Sequence, residues 1–137
     1  MKTALVIEDN EDNMKLITFI LEKSGYATIK AENGRRGIAL AIEEKPDFIL
    51  LDIQLPDIDG FEVLKEIRGW KINRDIPIIA ITSYAMSGDR ERLLYAGCNG
   101  YLEKPIDPTN IIAQIREIIE GSGDCESGER KDQDSVG

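Results

Sequence analysis

The stretch from Phe48 to Gly60 constrains this chain most. Four apolar residues, Phe48, Ile49, Leu50 and Leu51, run into the single acid Asp52 and then into the turn chemistry of Pro56, Asp57, Asp59 and Gly60. Bounded on its other side by Pro46-Asp47, the run predicts a short central strand of a parallel sheet, apolar on both faces. Asp52 then stands at the carboxyl end of that strand. In open α/β sheets the crevice outside those ends is where ligands bind, so an acid there is a candidate for chemistry. Taken alone, the stretch is read equally well as a strand whose last residue merely starts a turn.

The rest of the chain repeats the arrangement. Ala4 to Ile7 is an apolar run ending in Glu8-Asp9, and Asn10 can cap a helix whose stripe is Met14, Leu16, Ile17, Ile20 and Leu21, stopped by Ser24-Gly25. Ala27 to Ala31 predicts a weaker strand nearer the sheet edge, and Asn33-Gly34 turns into a helix over Arg35 to Glu44. Phe61 to Arg68 predicts a third helix, Trp70 to Asp75 a loop, and Ile76 to Ser83 a fourth strand ending in Thr82 and Ser83. Tyr84 to Gly88 link it to a short, polar and thinly anchored helix over Asp89 to Ala96. Asn99 to Glu103 is a brief fifth strand followed by Lys104-Pro105; Asp107-Pro108 then precede a last helix with Ile111, Ile112, Ile115, Ile118 and Ile119 on its apolar face. Strands alternating with helices predict an α/β fold, a doubly wound five-stranded parallel sheet with five helices. Residues 1–120 form this one domain. Residues 121–137 lack apolar periodicity and are expected to be a disordered acidic tail or linker remnant.

Charge and composition narrow the function. A net charge of -9 argues against direct contact with nucleic acid or an anionic membrane, both of which reward clustered Lys and Arg. The amino-terminal residues turn acidic too soon for a signal peptide, and no apolar run is long enough to span a membrane, so a cytoplasmic protein is expected. The absence of histidine removes imidazole acid–base catalysis and imidazole metal sites. Cys98 and Cys125 have neither metal nor redox spacing and read as free thiols.

In a parallel sheet, Glu8, Asp9, Asp52, Thr82 and Lys104 all lie at one rim although they are scattered in sequence. Crowded carboxylates raise one another's pKa unless a cation sits among them, and Mg2+ prefers one or two carboxylates together with phosphate oxygens. An ionised Asp52 can attack a phosphoryl group to give an aspartyl phosphate. Lys104, the Thr82 hydroxyl and the metal would then cover the charge spread over the transferring oxygens. Singly, each residue has an ordinary structural explanation: a helix entry, a strand end, a surface turn. Their joint placement at four strand ends is what coincidence explains poorly.

These motifs resemble the receiver domains of bacterial two-component response regulators over Lys2 to Glu120: Glu8-Asp9, Asp52 with Leu55-Pro56 and Gly60, Thr82, Tyr101 and Lys104-Pro105. The resemblance implies the flavodoxin-like fold of that family, Asp52 as phosphoacceptor, and Mg2+ held by Glu8, Asp9, Asp52 and the Gln54 backbone carbonyl. It further implies Thr82 and Lys104 at the phosphoryl group, Tyr101 as the switch aromatic, and a cis Lys104-Pro105 bond. It is nearest to single-domain regulators of the cell-division and polarity type and to receivers of hybrid histidine kinases. The implied partners are a histidine kinase or histidine phosphotransfer protein and a downstream protein target. Signalling would pass by protein contact through the Asp89 to Ala96 helix, the fifth strand and the last helix, in a monomer or weak dimer rather than an enzyme with a separate substrate. Two other readings stay open at this point: a Mg2+-dependent phosphohydrolase using the same acids, and a degenerate receiver that only binds partners. Against the hydrolase, no second acid stands two residues after Asp52, where Gln54 places an amide at the mouth of the site.

Overall fold

The computed structural model describes residues 2–55, 57–69, 75–83 and 97–128. Five parallel strands, β1 (Thr3–Ile7), β2 (Ala27–Ala31), β3 (Phe48–Asp52), β4 (Ile78–Thr82) and β5 (Gly100–Glu103), form one sheet in the order β2-β1-β3-β4-β5. The helices are α1 (Glu11–Lys23), α2 (Gly34–Glu44), α3 (Gly60–Arg68) and α4 (Ile111–Gly128). The helix expected over 89–96, the 84–88 link and most of the 70–75 loop lie outside the described residues.

Every residue of β3 and β4 is buried, whereas β2 at the edge is mostly half-buried. The cause is alternation: successive side chains of one strand point to opposite faces, so a strand covered on both sides must be apolar throughout. Leu5, Ile7, Ile49, Leu51, Ile78 and Ala80 pack with Leu40 and Ala41 of α2 and Val63, Leu64 and Ile67 of α3. The intervening residues Ala4, Val6, Phe48, Leu50, Ile79 and Ile81 pack on the other face with Met14, Ile17 and Leu21 of α1 and Ile111 and Ile115 of α4.

Local chemistry sets the helix ends. The Asn10 side chain accepts from the Asn13 amide to start α1, Asn33 accepts from Arg36 to start α2, and Asp59 accepts from Phe61 to start α3. Asp107 accepts from the Thr109 amide, and one turn later α4 begins. Its helical backbone runs to Gly128, past Glu120 where the sequence predicts its end. Adding a residue to an existing helix gains a hydrogen bond without a new nucleation cost, so Gly121 and Gly123 weaken the helix without stopping it.

At the opposite end of the sheet from the predicted site, Arg68 ties α3 to the starts of β4 and β5. Its guanidinium donates to the Gly97 carbonyl (2.8 and 3.0 Å), the Ile76 carbonyl (2.6 Å) and the Asn99 side chain (2.7 Å), and Asn99 in turn accepts from the Ile78 amide. Helix α2 ends at Lys45 in the left-handed region (φ 48°), a conformation that costs a residue with a Cβ. Lys45→Gly is therefore expected to raise stability by about 0.5–1 kcal/mol, read as a higher urea midpoint; an unchanged or lower midpoint would mean Lys45 makes a compensating contact.

Candidate functional site

Strand register brings the predicted residues together. Ile7 pairs with Leu51, which sets Glu8 beside Asp52; Asp52 pairs with Ile81, which sets Thr82 one step beyond; Thr82 pairs with Glu103, which sets Lys104 beyond that. The Lys104 amide donates to the Thr82 carbonyl at 2.9 Å, carrying the ladder past the end of β5. The Lys104-Pro105 bond is cis, as the family resemblance implies.

Asp52 is fully buried, and each of its oxygens is engaged. Oδ1 accepts from the Gln54 amide at 3.0 Å and Oδ2 from Lys104 Nζ at 3.1 Å. Glu8 is 1% exposed. Its Oε2 accepts from the Asn10 amide at 3.1 Å, but Oε1 is buried without a hydrogen-bond partner. Ligand atoms of Glu8, Asp9 and Asp52 lie within 4.8 Å of one another, with Asp9 exposed at the rim. Thr82 is buried at the end of β4, and Tyr101 is half-buried on β5 against the α2–α3 side of the core.

The electrostatics follow from that crowding. Burial first, then the facing Asp52 carboxylate, which can accept a hydrogen bond from Glu8 only when Glu8 is protonated and whose charge disfavours ionised Glu8, push the Glu8 carboxyl from 4.5 to about 7; the Asn10 amide and Lys104 oppose the rise. Two buried carboxyl groups facing each other need either a proton or a cation between them. The orphaned Glu8 Oε1 and the all-oxygen donor set fit a hard divalent ion such as Mg2+.

The sign of the pH effect is fixed by the raised value. Folding stability contributed by the proton on Glu8 is fully present below the ordinary carboxylate range and is lost as pH rises through about 7. A metal must displace that proton. Mg2+ affinity is therefore expected to strengthen by up to about tenfold per pH unit between roughly pH 5 and 7 and to level off above, with about one proton released per ion. Calorimetric titrations at several pH values would show this, and a flat affinity across that range would refute the protonated Glu8.

One positioning feature escapes the sequence. Asp57, in the loop after Asp52, accepts from the Gly34 amide at 2.8 Å and the Arg35 amide at 2.9 Å, reaching the start of α2. Desolvation pushes its carboxyl up, but the amides of Arg35, Gly34, Ile58 and Asp57 itself together hold it below its ordinary value. Contacts this distant in the chain leave no local signature. Cys98 is buried as a free thiol, and burial pushes it up to about 12 against the nearby Arg68 charge.

Three acids at the carboxyl rim of a parallel sheet, the innermost beside a lysine from the loop after the last strand, can hold a cation and meet a phosphoryl group. Residues 4–116 match the response regulator receiver domain, and the chain belongs to that family, the receivers of two-component signalling. It is similar to the polar-differentiation response regulator DivK of Brucella anthropi, 45% identical over 118 residues that cover 86% of this chain and 96% of the relative. The DivK of Brucella ovis is 44% identical over the same coverage. Among solved structures, the receiver domain of a sensor histidine kinase from Pseudomonas aeruginosa, with a magnesium ion coordinated in its active-site cleft, is 35% identical. It has a TM-score of 0.79 and covers 87% of this chain and 98% of that one. The chemotaxis protein CheY4 of Vibrio cholerae has a TM-score of 0.82 at 24% identity, covering 86% of this chain and 98% of that one, a likeness of fold. Membership implies interaction with histidine kinases or phosphotransfer proteins. No helix among the described residues is long and apolar enough to cross a membrane.

Proposed function

We propose that Asp52 is the phosphoacceptor of this receiver, and that residues 1–120 form the functional domain with the remaining chain as a tail or linker. The observation that carries this is the buried Asp52 paired with Lys104 at 3.1 Å beside the orphaned oxygen of Glu8. An ionised Asp52 oxygen attacks the phosphorus of a phosphohistidine on the kinase or phosphotransfer partner. The new O–P bond forms as the P–N bond breaks, and the electron pair returns to the imidazole nitrogen, which takes up a proton. Glu8, Asp9, Asp52 and the Gln54 carbonyl would hold Mg2+, which when bound supplies positive charge to the phosphoryl oxygens. Lys104, already at the carboxylate, moves to the phosphoryl group as charge builds there, and the Thr82 hydroxyl donates to another oxygen.

The drawing-in of Thr82 is the conformational signal. Thr82 lies one strand from Tyr101, whose backbone pairs with Ala80 on the same ladder. Tyr101 turning inward biases the surface of β5 and α4 toward a downstream protein target. The protein acts by contact, in the cytoplasm, as a monomer or weak dimer, and turns over no substrate beyond its own acyl phosphate.

The test is intact-mass spectrometry after incubation with Mg2+ and acetyl phosphate. One added phosphoryl group, lost when EDTA replaces Mg2+, is the expected result. Steady release of phosphate without an adduct would favour a phosphohydrolase, and neither adduct nor release would leave a binding-only module.

A further inference from the structure

Among its described residues, the loop between Asp52 and α3 is held at three places. Near its start the Gln54 amide donates to Asp52 Oδ1 at 3.0 Å. At its end Asp59 caps α3 and the Gly60 amide donates to the Ile53 carbonyl at 3.0 Å. The middle is held from outside, by the two bonds from the Gly34 and Arg35 amides to the opposite oxygens of Asp57. Ile58 extends this clip, because its side chain lies where a Cβ on Gly34 would stand, 2.6 Å from that position.

From this geometry we infer that Asp57 is a positioning residue for the metal site: by clamping the loop to the amino end of α2, it sets where the Gln54 carbonyl stands relative to Glu8, Asp9 and Asp52. Helix α2 does not need Asp57 as its cap. Asn33 already accepts from Arg36 at 2.8 Å, so the Asp57 bonds are additional and both go to one segment of the site loop. A carboxylate suits the task because each of its oxygens accepts one of the two amides, and the positive end of α2 favours its charge. An asparagine could keep one of the two bonds, since its nitrogen would meet an amide donor.

This rests on the reading that the Gln54 carbonyl belongs to the metal shell, and the experiment separates the two. Mg2+ alone is titrated calorimetrically into the full chain and into Asp57→Ala, Asp57→Asn and Asn33→Ala, with thermal melts of each without metal. Asp57→Ala is expected to bind Mg2+ about tenfold more weakly and Asp57→Asn to fall between it and wild type, the size of loss usual for a group that orients a metal ligand. Asn33→Ala, which removes a cap of the same helix without touching the loop, is expected to lower the melting temperature yet keep its Mg2+ affinity within about twofold. In acetyl phosphate assays the half-saturating Mg2+ concentration rises for Asp57→Ala while the rate at saturating Mg2+ holds. Wild-type affinity in Asp57→Ala, or an equal loss in Asn33→Ala, would overturn the inference. Should Asp57→Ala melt below the assay temperature, Asp57→Asn against Asn33→Ala carries the same comparison. A wild-type chain that binds no Mg2+ would overturn the metal site itself, and with it the role of Asp57.

Discussion

Asp52→Asn is expected to abolish the Mg2+-dependent phosphoryl adduct, lowering its rate of formation by at least about three orders of magnitude. The amide oxygen of asparagine is a poor nucleophile and cannot form an acyl phosphate without losing nitrogen. The geometry otherwise tolerates the change, since the oxygen of the substituted side chain can still accept from the Gln54 amide now bonded to Oδ1 at 3.0 Å. What is lost is charge. Lys104 Nζ, 3.1 Å from Oδ2, would face an amide nitrogen and turn away, and Mg2+ would lose a carboxylate. The Glu8 carboxyl would fall from about 7 toward its ordinary value, because the Asp52 hydrogen bond and charge both raise it, although burial, the largest cause, remains. Intact mass with and without Mg2+ reads the first effect. A full adduct on the variant would move the phosphoacceptor elsewhere.

Gly60→Ala is expected to destabilise the fold by about 3 kcal/mol, lowering the melting temperature by about 10 °C or more. A Cβ on Gly60 would stand 2.4 Å from the Ile53 Cα and 2.6 Å from its carbonyl oxygen. These are backbone atoms that cannot rotate away. Nor can the backbone retreat cheaply, because the Gly60 amide donates to that same carbonyl and the Ile53 amide donates to Ile81 at 3.1 Å. The clash would push on the residue after Asp52, so weaker Mg2+ binding should accompany the lower melting temperature. Gly25 makes the contrast: at φ 95° with nothing within 4 Å of its Cβ position, its replacement strains only one residue, at about 1–2 kcal/mol. Thermal melts of the two alanine variants compare them directly, and a loss at Gly60 no larger than at Gly25 would mean the α3 entrance is plastic.

Much of this protein is legible one segment at a time. Phe48 to Leu51 and Ile78 to Ile81 declare strands buried on both faces because no polar side chain interrupts them, and Ala27 to Ala31 declares an edge because Thr28 and Lys30 do. Asn10 announces a helix start and Asn33-Gly34 a turn into one because a cap acts within three residues of itself, whereas Asp59 reads only as turn chemistry until its oxygen accepts from the Phe61 amide. The position of the site is legible too. A parallel sheet sends every strand's carboxyl end to one rim, so Glu8, Asp9, Asp52, Thr82 and Lys104 could be gathered without knowing which strands are neighbours.

Other properties exist only once the chain is folded. The order β2-β1-β3-β4-β5 decides that Glu8 of the β1 end rather than Glu32 of the β2 end stands beside Asp52, and hydrophobic pattern carries no information about neighbours. The raised Glu8 carboxyl owes its rise to burial and to Asp52, both consequences of the fold, so the same glutamate in an open chain would titrate as any other. Arg68 reads in sequence as the basic end of a helix, yet three backbone and side-chain acceptors from distant segments converge on it. Asp57 reads as one more turn residue, yet it bonds to amides more than twenty positions away. Side-chain chemistry at short range is enough to say which stretches turn apolar faces inward, where most elements begin and which groups reach the rim. Which of those groups touch, how their charges bias one another and what holds the site loop in place depend on packing, because every backbone amide offers the same donor until the fold brings an acceptor to it.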